Sequence, residues 1–317
     1  MEPTASATPR GTTEKQARLG LLAVCVAVSL WGYSAVAIKA ISATGAVTAF
    51  YRLWFAIPIL WAYILCTRDV RTLVRQGNWV FGSLAGGLLF ASHQLCFFTA
   101  VNFTTIANVT IIGALQPVLV LVVAARLFGE PASWGVVAAS MVAIAGTSLV
   151  VWGSLDSAQA GFGDLLALGN LFAFTGYFLV SKRVREGVGT ADYVVGMTTV
   201  AGVFMGIACW VLGEDLGSPS RTDFVVMLSL ALLPGTMGHV LTNWAHAHVS
   251  ALRISIVLLA APVVATASAA LFLGEAVTGL QLAGFLVVLS SIAVVVLTRE
   301  PEQAEALAEG VAGTEAP

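Results

Sequence analysis

Apolar residues run along this chain in ten stretches separated by short polar turns. They cover 19–40, 46–67, 79–101, 105–128, 133–152, 162–182, 191–213, 223–246, 250–273 and 278–298. Each holds about 20 residues, enough at about 1.5 Å rise per residue to cross the hydrocarbon core of a bilayer. The pattern predicts an all-α integral membrane protein of ten transmembrane helices, here called segments 1 to 10. Segment 1 is too long for the h-region of a cleaved signal peptide, and mostly polar residues precede it. Residues 1–18 and 299–317 are polar and poor in apolar side chains, so they are expected to be disordered tails.

The basic residues suggest an orientation. With a cytoplasmic N-terminus, the inner side holds Arg10, Lys15, Arg18, Arg68, Arg71, Arg75, Arg126, Lys182, Arg183, Arg185 and Arg299. The outer loops hold Arg221 alone. That bias alternates correctly only with ten spans, and it places both termini in the cytoplasm of a cell bounded by a plasma or inner membrane.

The chain also repeats itself. Pro117 followed by Gly129-Glu130 recurs as Pro262 followed by Gly274-Glu275, 145 positions later. Gly32-Tyr33 and Lys39 correspond to Gly176-Tyr177 and Arg183, Thr105 to Ser250, and His93 falls one residue from equivalence with His239. The chain therefore divides into a first repeat, 19–152, and a second, 153–298. Each repeat holds an odd number of spans, so the second enters the membrane inverted relative to the first. A substrate site is expected between such halves near the midplane.

Composition supports the bilayer as a partner: 58% of residues are hydrophobic and 10% charged, against about 25% charged in soluble domains. A net charge of −2 speaks against nucleic acid. Cys25, Cys66, Cys96 and Cys209 are far apart, without metal-ligand spacing, and are read as small buried hydrophobes. No metal or cofactor is expected. Gly82 with Gly86 and Gly202 with Gly206 suit close helix packing within the chain, and a homodimer is a second use for them.

Candidate chemistry sits on a few helical faces. Pro117 and Pro262 remove an amide in segments 4 and 9 and release the carbonyls of Gly113 and Leu258; Pro234 releases Leu230 in segment 8. Such breaks are either plain kinks or cavity linings. The Gly-Glu pairs read as helix-end hardware. His239, Asn243 and His246 share one face of segment 8, with His246 and His248 near the cytoplasmic end. Asn170, Phe174, Tyr177 and Ser181 form a stripe on segment 6. Trp31 and Tyr33, His93, Gln94 and Phe97, and Asn108 and Gln116 supply further candidates on segments 1, 3 and 4. Polar groups within spans face the bundle or a wet cavity, whereas aromatic groups also serve packing.

Of the intramembrane cations, Arg253 is expected to snorkel to cytoplasmic headgroups. Lys39 and Arg52 lie on the outer side, where they either pair with Glu275 or attract a carboxylate-bearing substrate; pairing is the default. No Asp or Glu falls in the centre of a span. The expected substrate is therefore neutral, zwitterionic or anionic, and His93 and His239 are the groups available for proton coupling.

Leu30-Trp31-Gly32 with Lys39, Tyr51-Arg52, Pro117 with Leu127-Phe128-Gly129-Glu130, and Pro262 with Leu273-Gly274-Glu275 occur in the order of a known pattern. The region 19–298 resembles an EamA-type transporter of the drug/metabolite transporter superfamily. The resemblance implies transport of small metabolites, often export of amino acids or their relatives, through a central cavity lined by segments 1, 3, 4, 6, 8 and 9. Facilitative uptake, or export of lipids or drugs, belongs to the same fold. An intramembrane enzyme is disfavoured: Gly161-Phe162-Gly163-Asp164 looks like an aspartyl-protease motif, but its carboxylate lacks a partner in a helix. A membrane sensor is disfavoured by the lack of a soluble signalling domain.

Overall fold

The computed structural model describes residues 14–38, 40–68, 70–76, 78–104, 109, 112–128, 134–152, 161–217, 219–274 and 276–297. Lys39, Thr105, Asn108, Gly129, Glu130 and Glu275 lie outside them, as do most of both expected tails.

Segments 1 to 3 are α1 (Glu14–Ile38), α2 (Gly45–Thr67), a short α3 (Arg71–Arg75) and α4 (Trp79–Phe103). Segments 4 to 7 contain α5 (Gln116–Phe128), α6 (Trp134–Trp152), α7 (Phe162–Val184) and α8 (Thr190–Leu212). Segment 8 is α9 (Arg221–Leu230), a π-helical turn (Ala231–Gly238) and α10 (His239–Ala245). Segment 9 is α11 (Ala251–Leu258) and α12 (Ala261–Leu273); segment 10 is α13 (Gly279–Leu297). Seven of these spans are long and apolar enough to cross a membrane, and three shorter apolar helices accompany them. No strand occurs among the described residues. Helix α1 starts at Glu14, so residues 14–18 of the expected tail are helical.

The packing obeys the internal repeat. Exchanging each segment with the one five places later turns the contact of α4 with α7 into that of segment 8 with α1, and both exist. The contact of α4 with α8 likewise maps onto that of segment 8 with α2, while α2–α8 and α6–α13 map onto themselves. Outside this bundle, Phe81, Phe172, Trp210 and Leu271 stand exposed. Large apolar side chains on that scale suit a lipid solvent rather than water. Gly82 meets Val184 and Gly202 meets Ile57, so both glycine pairs are used against helices of the same chain.

The prolines do more than kink their helices. In segment 9 the amides of Leu259 and Ala260 bond three residues back, to Ile256 and Val257, and α12 begins immediately afterwards. Segment 4 repeats the device: Leu115 N–H donates to Ile112 O, the equivalent of Ala260 to Val257. Each proline thus occupies the first turn of a new half-helix, where its missing N–H removes no native bond. At the far end of α12, Gly274 adopts a left-handed φ of 69° and ends the helix, as does Gly213 after α8 at 68°.

Two expectations change here. Arg253 does not snorkel: it is buried in α11. Among the cysteines only Cys209 is buried, while Cys25 and Cys66 are exposed on the outer faces of α1 and α2. A thiol is tolerated against lipid because it is small and weakly polar.

Both ends of the bundle are tied by carboxylates. At one, Asp223 accepts from the amide and hydroxyl of Ser42 at 3.0 and 2.7 Å, and Glu214 accepts from Thr44 at 2.8 Å. At the other, the buried Asp192 carboxylate accepts from Gln76 at 2.8 Å and Arg68 at 3.2 Å, while its carbonyl accepts from Trp79 at 2.6 Å. Asp192→Ala should lower stability by about 1–3 kcal/mol, since it leaves two donors unmatched but Arg68 retains water. A thermal melt in detergent checks this; Asp192→Asn should fall between the alanine variant and the parent.

Candidate functional site

A cavity of about 230 Å³ lies where the two repeats meet. Its lining includes Trp31 and Ser34 from α1, Arg52 from α2, His93, Gln94 and Phe97 from α4, and Gln116 from α5. The second repeat supplies Asn170, Phe174, His239, Ser255, Leu258 and Pro262. All six segments implied by the resemblance contribute, together with segment 2 through Arg52 and segment 5 through Thr147.

Both helix breaks open on this space. Gly113 and Leu258, whose carbonyls the prolines deprive of their usual donors, line it from opposite repeats. The third proline acts differently. Pro234 lies within the π turn, which accommodates an extra residue around the missing N–H. Its carbonyl accepts from the Trp31 indole at 2.9 Å. Gly238 permits this approach, since a Cβ there would stand 2.7 Å from the indole nitrogen. Trp31 is thereby fixed against His239 at 5.1 Å between ring centres and edge-on to Phe174 at 6.4 Å. His93 faces Phe174 on the same wall at 4.6 Å.

The polar wall is ordered by side-chain pairs. His93 Nδ1 lies 2.5 Å from Asn170 Oδ1. An amide oxygen only accepts, so Nδ1 is the donor in this pairing. Arg52 donates to Gln94 Oε1 at 2.8 Å, and both are buried. Gln116 Nε2 and Thr147 Oγ1, also buried, have no hydrogen-bond partner among the described residues.

Three expected site residues stand behind the wall rather than on it. Tyr177 and Asn243 meet beneath His239: Asn243 Nδ2 donates to the Tyr177 oxygen at 2.8 Å, and that hydroxyl lies 3.3 Å from His239 Nδ1. Tyr33 turns to Ser229, at 3.3 Å. Below the pair, Ser181 bonds Tyr193 at 2.9 Å and His246 stacks edge-on with Phe178 at 4.4 Å. The stripes on segments 6 and 8 thus begin at the cavity and continue as a packed polar seam. At its end Arg185, outside the spans, donates to Asn243 O at 3.0 Å. Burial lowers its guanidinium to about 10, against the opposing charge of Asp192, so it stays cationic at neutral pH.

Sequence reasoning missed Ser34, Gly113 as a surface, Thr147 and Ser255. Ser255 was legible: it lies one and two turns from Leu258 and Pro262 on one helical face. Thr147 was not, because one hydroxyl in an apolar helix commonly bonds its own backbone. Asp164 caps α7: it accepts from Thr104 at 2.8 Å and from the Gly161 amide at 3.1 Å. No group of three metal-ligating side chains occurs among the described residues.

The profile of the EamA-like transporter family matches this chain twice, over residues 18–152 and 161–297. The chain belongs to the EamA-like transporter family. It is thus a multi-pass membrane protein of a transporter family, and its relatives point to transport rather than catalysis. It is similar to the uncharacterized transporter sll1164 of Synechocystis sp., with 25% identity over 236 residues, covering 70% of this chain and 67% of that protein. A solved crystal structure, 20% identical, shares the fold with a TM-score of 0.73 over 87% of this EamA chain and 96% of its own.

Proposed function

We propose that this EamA-family protein exports a small polar metabolite, an amino acid or a related compound, as a secondary transporter. The cavity between the repeats is the observation that carries the reading. Near-equivalent histidines, His93 and His239, and equivalent helix breaks, Gly113 and Leu258, wall it from both halves. A site built symmetrically from two inverted units is the arrangement in which rocking of one half exposes the cargo to one side and then the other. The volume falls below the roughly 300–1,000 Å³ of sites for drug-sized ligands, which favours a metabolite over a drug or a lipid. The basic loops favour cytoplasmic termini in a plasma or inner membrane.

The test is counterflow in proteoliposomes across a panel of amino acids, amines, organic acids and nucleobases. Flux of at least one small polar compound is expected; silence across the panel would overturn the reading. His239→Ala should reduce flux about three- to tenfold, the equivalent of one lost ring contact in the wall, with the folded yield retained. Unchanged flux would remove His239 from the path.

A further inference from the structure

Arg52 is the cation in the described lining of this cavity. It lies two turns inside α2, about 10 Å from the helix start. The residue is 8% exposed, and its described partners are the neutral amide oxygen of Gln94 at 2.8 Å and the Phe98 ring at 5.7 Å. No described carboxylate pairs with it; Glu275, the partner expected from sequence, lies outside the described residues. A guanidinium has five N–H donors, and Gln94 occupies one end of the fork. Leaving a buried charge without an opposite charge is costly, and such groups within membranes mark substrate paths.

The rest of the wall has the same polarity. Gln116 Nε2 and Thr147 Oγ1 are unpartnered, 4% and 0% exposed as residues, and both residues line the cavity. An amide nitrogen only donates. No Asp or Glu is in the described lining. Among the described residues the lining thus offers one positive charge and spare donors, and no negative charge.

We propose that the cargo is a small carboxylate, anchored by the Arg52 guanidinium, with Gln94 as the positioning residue and Gln116 as a second donor. The proposal rests on the transport reading above and narrows it. A planar carboxylate accepts two parallel N–H bonds from a guanidinium, a match that an ammonium or a neutral hydroxyl lacks. A phosphate dianion would bring a second charge that this wall does not neutralise. The aromatic faces of Trp31 and Phe174 then take the apolar body of the carboxylate.

The experiment uses the full chain in proteoliposomes and two matched probe sets. One is L-phenylalanine, L-phenylalaninamide, phenethylamine and 3-phenylpropionate; the other is L-leucine, L-leucinamide, isopentylamine and 4-methylpentanoate. Inorganic phosphate is a separate arm. Carboxylate-bearing members should compete for flux about tenfold or more better than their amides and amines. Arg52→Gln should erase that preference, and Arg52→Lys should weaken carboxylates about tenfold because the fork is lost. If Arg52→Gln fails to fold, Gln116→Leu serves instead. Gln116 Nε2 makes no native bond, so its loss should weaken carboxylates about three- to tenfold with the melting temperature unchanged.

Equal competition by amides or amines, a preference for phosphate, or a carboxylate preference that survives both Arg52→Gln and Gln116→Leu would overturn the anchor. Flux confined to compounds without a carboxylate would overturn it and leave the transport reading standing. Silence across every class would take down both.

Discussion

Gly113→Phe is expected to stop transport while leaving the protein folded. A Cβ built on Gly113 meets nothing within 4 Å, because this residue faces the cavity beside the break in segment 4. Its backbone has no left-handed φ to strain a side chain. A benzyl side chain there would project into the 230 Å³ space without displacing packed atoms. Flux should fall at least about tenfold, the equivalent of roughly 1.4 kcal/mol of lost binding. Elution profile and melting temperature should match the parent. Gly113→Ala is the control and should carry substrate nearly normally. If Gly113→Phe transports at the parental rate, the cavity is not the route.

The second large effect is the reverse: Gly87→Val should deplete the folded protein itself. Gly87 sits where α4 crosses α8, and a Cβ there would come within 2.8 Å of Met197 O and 2.6 Å of Val200 Cβ. The first of these is backbone, so no rotamer change relieves it. Overpacking of this kind costs about 1–3 kcal/mol, and more where helices must separate. The α4–α8 contact also positions His93 and Gln94, two turns further along α4. The expected result is a lower yield of monodisperse protein and a lower melting temperature. Gly187→Ala, in an open turn with nothing within 4 Å, should change neither. Parental stability for Gly87→Val would mean that the helices sit further apart than described.

Residue types explain why parts of the site were legible. His93, Gln94, Asn170 and His239 are polar groups that a lipid-facing surface would reject, so their helical spacing pointed inward before any fold was known, and Trp31 and Phe174 were candidates only as aromatics among them. Arg52 was legible as an anomaly but not in its role. Its expected partner, Glu275, lies outside the described residues, and the bond it makes to Gln94 crosses to a neighbouring helix, which spacing within α2 does not encode. Tyr177 and Asn243 lay on the correct faces, yet depth along the helix separates a wall residue from a second layer. That depth follows from how closely segments 6 and 8 approach, which spacing within one helix does not encode.

Apolar spans and their duplication are written locally, in runs of side chains and in matched Pro and Gly-Glu positions, because a bilayer selects helices by composition and length. Those features determine the number of spans, the repeat and the family resemblance. Three things were decided only by tertiary packing: that the prolines begin new half-helices, that Trp31 is clamped by the π turn, and that Arg52, Gln94, Gln116 and Thr147 share one cavity. The physical reason is the same in each case. A hydrogen bond or a buried charge between helices depends on the distance and rotation of whole segments, and those are set by the sum of all contacts.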